Sequence, residues 1–266
     1  MGTEISLDIG GLSIDWSKNS RGDDHGPLFQ EGDRKPIRSD QINHEGFAGN
    51  SEDDPDPTEM ALVRSLKDVV PRIELMGFTR EIAKAQYLDA VESCRQERED
   101  IDERGAQASD LMSFDEFSFF VSAHPVQELD NTFIGSDDER KIRGRFSDEC
   151  ITNRIPHSVL DCSSAYSERS YFGSLINILH PYALLRVLAE SPDNLQADVV
   201  WQYGPLVDAG WAGESEFKTG ARRNQTFLIA TEGSSDVHIL NSFAAVSGFL
   251  SLSLMSSIRK TIGEGE

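Results

Sequence analysis

Apolar and polar side chains alternate strictly at the start of the chain. Ile5, Leu7 and Ile9 precede Gly10-Gly11, and Leu12, Ile14 and Trp16 follow it. Period-two alternation marks a half-buried strand, and Gly-Gly between two such runs marks a two-residue hairpin turn. Folding about that turn sets Ile9 against Leu12, Leu7 against Ile14 and Ile5 against Trp16. The six apolar side chains then share one face, with Glu4, Ser6, Asp8, Ser13 and Asp15 on the other. In that arrangement Trp16→Asp would bury an unpaired charge and cost several kcal/mol.

The pattern then changes period. Residues 19–57 are polar and rich in Gly, Asp and Pro, and Glu52-Asp53-Asp54-Pro55-Asp56-Pro57 predicts a solvated loop. Thr58 is placed as an N-cap, and Leu62, Leu66, Val69, Val70, Ile73 and Met76 recur at helical spacing until Gly77. Pro71 inside that run predicts a kink or break. A second helix is expected from Thr79 to about Glu99, with Ile82, Tyr87, Val91 and Cys94 inward. The charges from Glu97 to Arg104 read as exposed. Phe114, Phe117, Phe120 and Val121 mark a third helix ending at His124-Pro125, and Asp137 to Ser147 a shorter one. The most apolar helical stretch runs from Tyr171 to Leu188, interrupted near Pro181, with His180 as a helix-end residue. Phe227 to Ala230 is a short uncharged apolar run, the pattern of a covered strand. Glu232-Gly233 then turns the chain, Ser234, Ser235 and Asp236 are N-cap types, and Val237, Ile239 and Leu240 give a helix its apolar side. The fold class is α+β and mostly helical.

Charge narrows the partners. The chain of 266 residues carries 46 acidic against 25 basic residues, a formal charge of −21. Such a field repels bulk DNA, RNA and anionic membranes. Two small basic clusters stand against it. Arg140-Lys141-Ile142-Arg143-Gly144-Arg145 reads as a helix end. Lys218 with Arg222 and Arg223, just before the Phe227 strand, is the candidate nucleic-acid contact. Cys94, Cys150 and Cys162 are odd in number and widely spaced, the usage of reduced thiols in a cytoplasmic protein. The polar N-terminus enters a strand at once and does not resemble a signal peptide. Ile239 to Ile258 carries no charge and is long enough to cross a bilayer, but its six serines, Asn241 and Gly248 argue against a membrane segment.

Candidate chemistry centres on Glu232, a carboxylate at the end of a strand and before a helix. Thr231-Glu232-Gly233-Ser234-Ser235-Asp236 followed by apolar residues resembles the opening motif of a Toprim domain, the catalytic fold of topoisomerases, primases and overcoming-lysogenization-defect nucleases. The resemblance implies that Glu232, in its setting of Gly233, Ser235 and Asp236, acts as general acid/base or as a carboxylate of a Mg²⁺ site. That family also uses a later strand ending in Asp-x-Asp to hold Mg²⁺, and no such pair follows Leu240 here. One carboxylate holds Mg²⁺ poorly, so the site is incomplete.

A second resemblance is broader. The opening hairpin, Ser17-Lys18-Asn19, Glu168-Arg169-Ser170-Tyr171-Phe172-Gly173 and Val200-Trp201-Gln202-Tyr203-Gly204-Pro205 together are similar to the HEPN/Toprim N-terminal domain. That is a prokaryotic module found upstream of Toprim in predicted defence proteins, and the likeness covers roughly residues 1–240. It implies a hairpin-bearing, HEPN-like helical domain over 1–220, the opening strand and helix of an incomplete Toprim domain over 226–240, and an atypical tail over 241–266. A reading frame that ends early is the simplest account of that tail. The expected function is a defence protein that cleaves nucleic acid in intact form and is weakly active or inactive here. Two alternatives stand beside it. The acidity and the missing Asp-x-Asp favour a non-enzymatic sensing or partner-binding module, including one that binds its own copy. A HEPN ribonuclease would need Arg-x4-6-His, matched by Arg38 and His44 in the predicted loop. Trp201, Tyr203 and Trp211 could stack bases but read first as core and turn residues.

Overall fold

Gly10 and Gly11 take φ of 53° and 79°, the left-handed pair that a type I′ hairpin turn requires. They join β1 (Glu4–Ile9) to β2 (Leu12–Lys18). The computed structural model describes residues 3–38, 58–101, 111–134, 138–156, 165–220, 230–231 and 255–256.

The hairpin departs from strict alternation at one point. Ile9 pairs with Leu12 and Asp8 with Ser13, but Leu7 pairs with Asp15, Ser6 with Trp16 and Ile5 with Ser17. Ile14 is the extra residue of a β-bulge, and a one-residue slip exchanges the two faces of everything beyond it. The expected pairs Leu7–Ile14 and Ile5–Trp16 are therefore corrected. Ile5, Leu7, Ile9, Leu12 and Ile14 are buried, whereas Trp16 is 64% exposed. Trp16→Asp is now expected to change stability by no more than about 0.5 kcal/mol. A loss of unfolding free energy in urea several times that size would return Trp16 to the core.

The hairpin is one end of a five-stranded sheet ordered β2-β1-β5-β4-β3, with every neighbour antiparallel. Its other members are β3 (Arg34–Arg38), β4 (Thr58–Ser65) and β5 (Asp198–Gln202). Two expectations are corrected. The polar stretch from residue 19 contains β3, an edge strand where Pro36 is tolerated because one side of the ladder is unpaired. Thr58 opens a strand rather than a helix. β4 lies between β5 and β3, and its Met60-Ala61-Leu62-Val63 run suits a strand covered on both faces. The helix starts only at Leu66, where the Ser65 hydroxyl accepts from the Asp68 amide at 3.3 Å. α1 (Leu66–Leu75) continues through Pro71 without the expected break.

α2 (Arg80–Ile101) buries Tyr87, Val91 and Cys94 as expected, but Ile82 is 43% exposed and Ala83 takes the inward place. α3 (Phe114–Ser122) begins with a capping box between Ser113 and Glu116. The short α4 (Glu139–Arg143) and α5 (Glu149–Thr152) lead to α6 (Glu168–Ile176) and α7 (Pro181–Leu188), and α8 (Gly204–Asp208) follows β5. α7 is the hub, touching α1, α2, α3 and β2 and burying Tyr182, Ala183, Leu184, Leu185, Val187 and Leu188. α6 lies so close on β2 that a Cβ at Gly173 would stand 2.8 Å from Leu12 Cδ1. The sheet thus packs on a helical body, an α+β and mostly helical fold.

His180 caps α7. Its Nδ1 accepts from the Tyr182 amide at 3.1 Å, and its ring stacks on Phe78 with centroids 4.4 Å apart. Burial pushes the imidazole below its ordinary value of 6.5, with Asp23 and Asp15 opposing and His25 reinforcing that shift. The unfolded chain therefore binds a proton here before the folded one does. The stability tied to the neutral ring is present above pH 6.5 and lost as pH falls toward the depressed folded value. His180→Asn keeps an N-cap acceptor and should flatten that part of a pH profile of melting temperature. An unchanged profile would overturn the assignment.

Candidate functional site

The predicted catalytic strand meets a partner. β6 (Ala230–Thr231) pairs in parallel with β7 (Met255–Ser256), Ala230 opposite Met255 and Thr231 opposite Ser256. The expected strand was Phe227–Ala230, and residues 227–229 lie outside the described residues. Residues 232–254 separate the two strands in sequence. Glu232 is the next residue in sequence after Thr231. Glu232, Gly233, Ser235, Asp236, Arg222 and Arg223 themselves lie outside the described residues. Among the described residues no group of three or more His, Cys, Asp or Glu is placed to hold a metal ion.

Lys218 is described, and its side chain is exposed. The other basic cluster is tied up in ion pairs. Lys141 meets Asp138 at 2.6 Å, Arg143 meets Glu149 at 2.8 Å, and Arg145 Nε meets Glu168 Oε1 at 2.9 Å. Glu168, in one of the segments shared with the family, is 8% exposed and also accepts from the Arg145 amide at 2.9 Å. Arg169, next to it, donates from Nη2 to the Leu129 carbonyl at 2.9 Å. Glu168 pins α6 to the turn before α5, and Arg169 pins it to the segment before α4, so both side chains hold the fold together.

Arg38 ends β3, and His44 lies outside the described residues. A different His and Arg share a cleft of about 80 Å³ lined by Phe120, His124, Arg145, Phe146, Asp148, Ile151 and Thr152. His124 Nδ1 donates to the Phe120 carbonyl at 2.7 Å, and Arg145 is occupied by Glu168. Trp201 and Tyr203 are buried, and Trp211 is 63% exposed. Cys94 and Cys150 are free thiols, and Cys162 lies outside the described residues.

Sequence reasoning missed one polar centre. His25, only 4% exposed, has Nε2 2.9 Å from Asp15 Oδ2 and Nδ1 3.1 Å from the Tyr182 hydroxyl. Nε2–H donates to the Asp15 carboxylate, and the Tyr182 hydroxyl that meets Nδ1 also donates to the Asp24 carbonyl at 3.3 Å. Its ring stands edge-on to Trp201, centroids 5.5 Å apart. Burial first, and then Asp24, Asp23 and Asp15, push the Tyr182 hydroxyl well above its ordinary range, which keeps it a donor. Both ring nitrogens are engaged, so the centre is built to hold β2 against α7 rather than to exchange protons with a substrate. The bulge hides Asp15 from the pattern by moving it off the predicted polar face. The usable clue was Leu28-Phe29 after Gly26-Pro27, an apolar pair in a polar stretch. Both are 0% exposed.

No curated protein and no solved structure matches the chain. Residues 1–225 match the family described as HEPN/Toprim N-terminal domain 1, which takes in most of the sequence. The matched span takes in all five strands of the sheet and α1 to α8. The chain therefore belongs to the HEPN/Toprim N-terminal domain family.

Proposed function

We propose that the protein serves a prokaryotic conflict system of HEPN/Toprim type. Residues 1–220 are its sensing and partner-binding body, and nucleic-acid cleavage belongs to the Toprim-like segment that includes β6. The parallel pairing of Ala230–Thr231 with Met255–Ser256 supports this most directly, because a parallel pair is the unit from which an α/β domain such as Toprim is built. Glu232 there can take or return a proton at the attacking or leaving oxygen of a phosphoryl group. The acidity and the ion-paired cations favour a protein partner over bulk nucleic acid for the body itself. Free thiols at Cys94 and Cys150 fit a reducing, cytoplasmic setting.

No Asp-x-Asp follows Leu240, so the 266-residue chain alone should turn over poorly and leave duplex DNA unbound at physiological salt. The test is cleavage of single- and double-stranded substrates with Mg²⁺ and with EDTA. Robust Mg²⁺-dependent cleavage by this chain that ignores Glu232→Gln would overturn the reading. Cleavage that survives EDTA and is lost in His44→Ala would favour a HEPN ribonuclease instead.

A further inference from the structure

Residues 21–34, between β2 and β3, grip the rest of the chain at two places. On one side His25 bridges Asp15 of β2 and Tyr182 of α7. On the other side the same stretch holds the last residues before 221. The Gly220 amide donates to the Gly26 carbonyl at 2.9 Å. Arg34 Nη2 donates to the Phe217 carbonyl at 2.8 Å, Arg21 Nη1 to the Glu216 carbonyl at 3.3 Å, and the Thr219 hydroxyl to Glu31 Oε2 at 3.2 Å. Arg34 also donates to the Tyr203 hydroxyl. Phe217, 0% exposed, stacks on Tyr203 with centroids 4.6 Å apart and meets Trp201 edge-on at 5.3 Å.

The two grips are adjacent in sequence. His25 flanks the tight turn Gly26–Leu28, and a Cβ at Gly26 would run into the Lys218 carbonyl oxygen. There is no slack between the residue that seats β2 and the residue that seats 217–220. Moving either grip leaves desolvated polar groups at the other without their partners, at a cost of about 1–3 kcal/mol per group.

We propose that residues 21–34 act as a strap. It couples the seat of β2 to the point where the chain departs toward residue 221, so that loosening one loosens the other. A partner that pulls on β2 would then be reported at Gly220. The relevance of this to catalysis rests on the assignment of Glu232, whereas the coupling itself does not.

Hydrogen exchange of the full 266-residue chain tests it. Gly26→Ala should speed exchange of the Phe217 and Gly220 amides and also of the β2 amides, by about 5-fold or more. The reciprocal change, His25→Ala, should speed exchange at Gly220 by a similar factor. Amides of β5 should stay protected in both, which shows that the sheet is intact. If Gly26→Ala does not fold, Arg34→Lys and His25→Asn probe the two grips more gently, with the same expectation at the opposite end. Faster exchange confined to the mutated side in both directions would overturn the strap. Nuclease assays are a separate measurement, so loss of the Glu232 assignment with the coupling intact is distinguishable from loss of the coupling.

Discussion

Joining the chain after Leu240 to a Toprim segment that supplies an Asp-x-Asp strand should produce Mg²⁺-dependent cleavage, and Glu232→Gln in that fusion should lower it by about 10²–10⁴-fold, the usual worth of a general acid or base. Gln keeps the size of the side chain and its capacity to hydrogen-bond. It cannot take up and release a proton. The loss should therefore fall on kcat, and the limb of the pH–rate profile due to the carboxylate should vanish. A change in KM alone would make Glu232 a substrate contact. A folded fusion that never cleaves, or that cleaves equally well with Glu232→Gln, would remove the glutamate from the chemistry.

Trp201→Ala should be the most damaging single change in the described body. Trp201 is 1% exposed, sits on the central strand, pairs in register with Leu7 on one side and Leu62 on the other, and meets His25, Tyr203 and Phe217 through its ring. Emptying such a site costs about 3–5 kcal/mol, which for a domain of this size lowers the melting temperature by roughly 6–20 °C. Trp211→Ala, at 63% exposure, is the control and should move stability by at most about 0.5 kcal/mol. Equal effects of the two would contradict the placement of β5 at the centre of the sheet.

Local signals carried much of the architecture. Gly10-Gly11 announced the turn, and the Phe114, Phe117, Phe120 and Val121 spacing announced α3. Pro181 placed the break between α6 and α7 because it can start a helix and cannot continue one. The failures have physical causes too. Leu62 and Leu66 stand four apart, which is helical spacing, yet one ends up in β4 and the other in α1. Strand pairing with β5 and β3 overrode local periodicity there, and nothing in Thr58 to Ser65 alone reveals those partners. β3, written Arg-Lys-Pro-Ile-Arg, has no alternation to see. Its place is set by β4. The bulge at Ile14 is invisible because it requires no special residue, and with it went Trp16, Asp15 and the His25 centre. Near the candidate site, Ala230 of the expected Phe227–Ala230 strand lies in β6, while its parallel neighbour at Met255–Ser256 lay in a serine-rich stretch that resembled no strand.

The place of β5 has a consequence for how the protein is made. It is the last of the five strands to be synthesised, yet β1 and β4 each pair with it and not with one another. On the ribosome the chain must therefore carry two separate hairpins, β1 with β2 and β3 with β4, each with an open edge facing the gap that β5 will fill. At about 5–20 residues per second the first hairpin waits roughly 10–40 s for its partner. Open edges invite pairing with other chains during that interval. A polypeptide released before residue 198 would keep its helices but leave its two hairpins unjoined, each with an open edge, a natural target for chaperones and proteases.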